Sequence, residues 1–350
     1  MNVELIEGAE LGMEEMARWE DIRLNNPSLS SPYFSPAFFQ IASRTRDNVR
    51  VGVIREGNEV LGFFPFESVR KGIGRPVGGC LSDYHGLIVD RPLPMPVSQI
   101  IHACGVSTWT FDHCLADQSC FTAHARVYSE SPTIGLGSGF SGYEEERRLQ
   151  GSKVLQRTAS KKRKLEREID RCRFVFSSVD LEALEFVIRL KSEQCLRTGT
   201  FDFFGIESNR SLIKMIHEQR EGDFRGVLST LSCGDDLVAA HFGMRSGSTL
   251  HWWFPVYDHQ FARYRPGQVL LLELIREAEH QGIELVDLGK GDDHYKTRFM
   301  NGSVPLLEGK VYTRSPQATA IKCVDGAESF LRNSRWMKPI RTVGRKLLRR

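Results

Sequence analysis

The sequence lacks any long hydrophobic run. No stretch approaches the ~18 uninterrupted apolar residues of a membrane-spanning helix, and the most apolar segment, 269–275, is broken by Glu273. Charge of one sign is also scarce: 47 Lys and Arg against 44 Asp and Glu leave a net +3. No global field therefore drives the chain onto nucleic acid, and any basic partner-binding surface must be local. The eight cysteines contain no C-x-x-C pair, and the acidic opening M-N-V-E-L-I-E lacks the basic and apolar regions of a secretory signal. Reduced, mostly buried thiols in a cytoplasmic protein are expected. The nearest approach to a metal cluster, His102, Cys104, His113, Cys114, Cys120 and His124, matches no standard zinc spacing, so no metal is expected. What is present, 41% hydrophobic and 26% charged residues over 350 positions, excludes disordered and collagenous chains and suffices for one large or two medium domains.

Periodicity predicts small helices over 13–23 and 36–44, then a hairpin, 49–54 and 60–66, around the turn E-G-N-E. A Gly- and Pro-rich loop over 71–96 carries Ser82-Asp83-Tyr84-His85-Gly86, polar groups of the kind a scaffold presents as a site. Short helices and strands follow to 132, and the Gly/Ser stretch 135–142 reads as a linker. A long basic helix is expected over 143–171, a strand over 174–177, a helix capped by Asp180 and ended by Gly199, and another helix over 209–220. Three strands, 224–231, 237–245 and 249–257, make an antiparallel meander. The strand–acidic turn–strand segments 53–66 and 230–243 resemble one another, which indicates internal duplication.

The chemistry concentrates further on. Arg263-Tyr264-Arg265-Pro266-Gly267-Gln268 precedes a helix whose apolar face is Leu270, Leu271, Leu274, Ile275 and Ala278. A proline at the first turn suggests that the amides of Gly267, Gln268 and Val269 point outwards beside Arg263 and Arg265, a site for a phosphate or pyrophosphate. An ordinary proline-started helix with solvated arginines would look the same. The apolar strand 283–288 is followed by Gly289-Lys290-Gly291-Asp292-Asp293-His294-Tyr295-Lys296-Thr297-Arg298-Phe299, a dense run of ionisable groups at a strand's C-terminal end, where α/β sheets bind ligands.

The strings R-Y-R-P-G-Q-V-L-L-L-E-L-I and D-L-G-K-G-D-D-H-Y-K-T-R-F resemble the GNAT-type acetyltransferases of the CelD/BcsL group, associated with cellulose and exopolysaccharide synthesis and distantly related to the FemAB aminoacyltransferases. The resemblance is strongest over 143–313. It implies an α/β (α+β) fold of tandem GNAT-like domains, each a mixed, mostly antiparallel sheet flanked by helices, over 1–140 and 141–315, with a basic tail over 316–350. It further implies an acyl-CoA co-substrate, acetyl-CoA or another, with its pyrophosphate at the Gly267 helix start; Tyr264 and Val269 depart from the usual phosphate loop.

In this reading an amine of a sugar or amino acid, or of a glycan precursor carrying one, attacks a thioester. Tyr295 is the candidate proton donor, Lys296 neutralises phosphate or carboxylate, and Asp292 orients Lys296 or a hydroxyl. Asp83, His85 and His241 are candidate bases, and the alternative for each of these side chains is a structural or solvated role. FemAB relatives use aminoacyl-tRNA, and the basic run 161–164 offers a surface for such a backbone. A catalytically silent module that scaffolds a biosynthetic complex is the remaining alternative. The tail 330–350 interleaves eight Lys and Arg with apolar residues and no acid, which suits the anionic inner face of the plasma membrane, a frayed terminus or a partner-binding arm.

Overall fold

The computed structural model describes residues 1–291 and 293–333, with side chains as far as 325. Its strands are β1 (Asn2–Glu7), β2 (Val49–Glu56), β3 (Glu59–Arg70), β4 (Ile73–Arg75), β5 (Ile88–Val89), β6 (Thr108–Leu115), β7 (Ala125–Gly135), β8 (Cys172–Val175), β9 (Arg225–Cys233), β10 (Asp236–Ser246), β11 (Thr249–Tyr257), β12 (Leu285–Asp287) and β13 (Gly302–Tyr312). The helices are α1 (Met13–Asn25), α2 (Pro36–Thr45), α3 (Val97–Ala103), α4 (Gly139–Leu149), α5 (Val154–Glu168), α6 (Leu181–Thr198), α7 (Glu207–Glu218), α8 (Pro266–Glu277), α9 (His294–Phe299) and α10 (Pro316–Asn333).

Among the described residues the strands join in one sheet, ordered β1-β2-β3-β4-β6-β13-β7-β12-β11-β10-β9-β8, with β5 attached to β3. Reading inwards from the two edges gives two matching series, β1-β2-β3-β4-β6-β13 and β8-β9-β10-β11-β12-β7. Each is antiparallel except for one parallel step, β4 with β6 in the first and β11 with β12 in the second. The duplication expected from the hairpins is thus present in the topology. The last strand of each series comes from the other half of the chain: β13 pairs with β6, and β7 pairs with β12. Residues 302–312, placed by sequence in the second unit, therefore complete the first, while 125–135 complete the second.

Alternation along the strands feeds two layers of helices. Ala240, Phe242 and Met244 of β10 enter a core built with α1, α2, α6 and α7 from both halves, including Trp19, Phe38, Leu184 and Ile213. Leu250 and Trp252 of β11 face the opposite side, where α5 and α8 cover the sheet with Val154, Leu155, Leu270, Leu271 and Leu274. At roughly 1.5–3 kcal/mol per buried aliphatic side chain, this packing outweighs the mixed helix propensity of α8 and fixes its N-terminus over β11.

Three expectations are corrected. The single helix over 143–171 is two, because Gly151 at φ 73° closes α4 with Gly151 N–H donating to Arg148 O (3.0 Å) and Ser152 N–H to Arg147 O (2.9 Å), a Schellman end that redirects the chain. The linker at 135–142 is mostly element: Gly135 ends β7 and Gly139 begins α4. The thiols are not uniformly free and buried. Cys172 and Cys233, cross-strand partners on β8 and β9, form a disulfide, and of the free cysteines only Cys104 and Cys114 are buried.

Candidate active site

Two depressions meet at the start of α8. One is a crevice of about 390 Å³ between α6, β11 and the segments opening α8 and α9; Lys191, Trp252, Tyr257, Gly267, Asp293 and Tyr295 are among its walls. The other is a groove of about 800 Å³ along α5, and Arg265 and Gln268 line both. A larger depression, about 1020 Å³ between α6 and β8–β10, mixes acids with bases and holds none of the candidate residues.

Local structure places each wall. Arg265, the sole described non-glycine residue at positive φ (55°), turns the chain into α8 ahead of Pro266. Its carbonyl accepts the N–H groups of Gln268 (3.0 Å) and Val269 (3.2 Å). Those two amides are not free, which corrects the expectation, and the Val269 side chain is wholly buried in the core. Of the three, only the Gly267 N–H lacks such an acceptor. Arg263 also stands apart from the crevice: it stacks on the Tyr264 ring, bonds the Tyr264 hydroxyl and lies 3.7 Å from Glu168.

α9 is held from behind by α4. Tyr143 donates to Phe299 O (2.5 Å), and Arg147 donates to Met300 O (2.6 Å) and Arg298 O (3.1 Å), a cation at a helix C-terminus. This aims Tyr295 into the crevice. Burial, reinforced by the Asp293 charge, raises the Tyr295 phenol well above its ordinary range, so it stays protonated. Lys296 is buried and already bonded to Gly289 O (3.1 Å) and Lys290 O (3.0 Å), with Asp293 at 3.7 Å; it organises the loop and does not line the crevice. Asp292 lies outside the described residues.

The proposed bases fare differently. His241 is fully buried, stacked 3.9 Å from the Trp252 ring, with neither ring nitrogen hydrogen-bonded. Burial, with the charges of His251 and Lys191, pushes its pKa far below the ordinary value; it stacks under Trp252 and lines neither the crevice nor the groove. Asp83 faces the second half through His251, whereas His85 packs among Ser82, Trp109, Asp112 and His113 of the first; neither lines the crevice. Asp83 accepts from His251 Nε2 (3.0 Å), and its carboxyl is held low because that bond and the charges of His251, His113 and Lys296 outweigh burial. Beyond His251, Asp287 accepts from Ser131 (2.6 Å), Gly289 N–H (2.8 Å) and the Tyr84 hydroxyl. This buried network joins the two halves directly behind the ionisable loop.

Lys191 is the residue that sequence reading missed. On α6 it reads as one more solvated lysine, yet it lines the crevice, and burial together with the Lys296 charge lowers its pKa to about 8. The groove is basic throughout: Lys153, Arg157, Lys161, Arg163, Lys164, Arg167, Arg265 and Arg298 line it, and no acid does among the described residues. On the neighbouring face of α5, Lys162 pairs with Glu273 of α8 at 2.7 Å, so the helix divides into a docked side and a side of cations turned to the groove.

Residues 152–297 match an acetyltransferase (GNAT) domain. The matched segment carries α5 to the start of α9, and with them the described walls of the crevice and, except for Arg298, those of the groove. No curated protein matches the sequence. Among solved structures, FemX is similar at 12% identity and TM-score 0.58, over 91% of this chain and 99% of that one. A tandem GNAT protein from the clavulanic acid biosynthesis pathway is similar at 11% and 0.51, over 89% and 98%. The DUF2156 C-terminal domain of a protein described as a lysylphosphatidylglycerol synthetase, from Agrobacterium fabrum, is similar at 13% and 0.53, over 90% and 96%. At these identities the likeness is one of fold, and it extends over both halves of the chain, beyond the segment that the family model matches.

Proposed function

We propose that the protein is an acyltransferase that moves an acyl group from a phosphate-bearing donor to an amine. The observation that carries this reading is the junction at Arg265 and Gln268, where the basic groove opens into the crevice with its mixed walls of Leu190, Trp252 and Val256 beside Lys191 and Asp293. Phosphates suit the groove and an acyl arm suits the crevice, whose volume lies in the range of ligand pockets. The donor we favour is acetyl-CoA or another acyl-CoA. The acceptor is an amino sugar or amino-acid-containing precursor of exopolysaccharide or cell-envelope synthesis, as in the CelD/BcsL group that the motifs resemble.

In this mechanism the acceptor nitrogen forms a bond to the thioester carbonyl carbon, and Lys191, partly neutral near its pKa of about 8, takes the proton released from nitrogen. The carbon–sulfur bond then breaks, and the Tyr295 phenol protonates the leaving thiolate. No helix among the described residues is long and apolar enough to cross a membrane. We place the reaction in the cytoplasm, with the tail 330–350 as a contact to anionic membrane. Residues 334–350 and every side chain of that tail lie outside the described residues.

A second reading, aminoacyl-tRNA as donor, is favoured by the same groove, because six of its cations, Lys153, Arg157, Lys161, Arg163, Arg265 and Arg298, have no carboxylate partner among the described residues. Calorimetry with acetyl-CoA and with charged tRNA separates the two. The first reading expects acetyl-CoA to bind and acetyl transfer to a panel of amino sugars to follow. Binding of tRNA alone would replace it with the second, and binding of neither would leave the scaffold role.

A further inference from the structure

We propose that His85, Asp112 and His113 form a binding site for a divalent transition metal, zinc above all, where the 82–86 loop crosses β6. His85 Nε2 stands 2.8 Å from Asp112 Oδ1, and His113 Nδ1 stands 3.1 Å from the same oxygen. One potential ligand atom from each residue lies within 4.8 Å of the other two. An ion bound at roughly 2.0–2.2 Å to nitrogen and oxygen holds its donor atoms about 3 Å apart, so the two contacts at Asp112 already have coordination spacing.

The other nitrogen of each imidazole faces an oxygen. His85 Nδ1 is 3.4 Å from Ser82 Oγ, and His113 Nε2 is 3.6 Å from Asp83 Oδ1. Oxygens in that position fix the tautomer and orientation of metal-ligating imidazoles. Backbone pairing holds the rings in register: His85 N–H donates to His113 O (3.0 Å) and Leu115 N–H donates to His85 O (3.2 Å). His113 Nδ1 is buried and, although 3.1 Å from Asp112 Oδ1, makes no hydrogen bond, so an ion between the two would give this nitrogen a bond that the carboxylate alone does not.

The nearest lysine does not occupy the carboxylate. Lys290 Nζ donates to the Asp112 backbone carbonyl (3.0 Å) and pairs with Glu308 (2.6 Å). Two imidazoles with one carboxylate select zinc-like ions over magnesium or calcium. The Asp112 side chain is 61% exposed, which leaves an open side for water as further ligand. The site is independent of the acyl-transfer reading. Sequence spacing did not reveal it because the loop-to-strand bridge, not a local motif, brings His85 to Asp112 and His113.

The test uses the full chain, stripped with chelator and titrated calorimetrically with zinc and, separately, with magnesium. The expected result is uptake of zinc but not magnesium, a zinc-dependent rise in melting temperature, and at least a tenfold loss of zinc affinity in Asp112→Ala and His113→Ala. Cobalt substitution should give a spectrum without a thiolate-to-metal band. Because Asp112 is exposed, Asp112→Ala carries the test if His113→Ala fails to fold. Absence of zinc uptake, unchanged affinity in Asp112→Ala, or a thiolate band from the exposed cysteines would each overturn the assignment.

Discussion

Lys191 and Arg265 show how single side chains acquire roles from their surroundings. Half-buried at the crevice beside Lys296, Lys191 has a folded-state pKa of about 8 against an ordinary 10.5. If it is the proton acceptor, turnover should rise with pH through about 8, and Lys191→Met should remove that limb and lower the rate by about 10²–10⁴-fold. Stability gives a separate readout. The folded state loses this proton first, so between pH 8 and 10.5 the unfolded chain holds more protons and stability increases with pH. Lys191→Met should therefore stabilise the protein below pH 8, the gain fading by 10.5; chemical denaturation across that window measures it. A pH-rate profile shared by wild type and variant would remove Lys191 from the mechanism.

Arg265 bears a left-handed backbone at the junction of groove and crevice, a conformation that costs an L-residue about 1–2 kcal/mol. Arg265→Gly should leave unfolding free energy unchanged or raise it by up to about 1 kcal/mol. Donor binding should weaken about tenfold or more, as expected when one charge-assisted hydrogen bond of ~1.5–3 kcal/mol is lost. Calorimetry and denaturant melts on the same sample decide whether strain is retained there for binding.

At the level of elements, α5 is the informative case. Its partition into a side docked on α8 and a side facing the groove predicts that charge reversal on the groove side leaves the fold intact. Lys153→Glu with Arg157→Glu, both exposed and without carboxylate partners, should keep the circular dichroism spectrum, weaken donor binding and flatten its salt dependence by up to about one unit of slope per lost phosphate contact. An unaltered salt slope would detach the groove from the donor.

Much of this level was legible. Asp180 caps α6 through Glu182 N–H at 2.8 Å, as the D-L-E-A string suggests, and Gly199 ends it at φ 68°. The proline start and apolar periodicity of α8, the three-strand meander and the crowding of ionisable groups after β12 were also readable. The hidden parts depend on distant partners. β13 contains Pro305 and two glycines, which weaken a strand signal, and its place between β6 and β7 is set by edges that no local pattern reports. Lys191 and His241 carried misleading signals for the same reason: exposure and hydrogen-bond partners belong to tertiary packing, so a solvated-looking lysine lines the crevice while a catalytic-looking histidine lies unpartnered under Trp252.

For the whole molecule, the reciprocal exchange of β7 and β13 makes the halves mutually dependent, and the Asp83–His251–Asp287 network ties them again behind the site. Fragments 1–140 and 141–350 should each be poorly soluble alone yet co-purify when produced together, because each supplies a strand that closes the other's series. Two independently folded fragments, each with a cooperative melt, would contradict that dependence.

The exchange also bears on how the chain is made. The edge left open by β6 can be covered only after Gly302–Tyr312 has cleared the ribosome, so the amino-terminal half must wait through the synthesis of residues 116–301 with an unfinished margin. Vectorial synthesis thus delays completion of the first half until β13 emerges, and its interval of greatest exposure to aggregation falls before that strand.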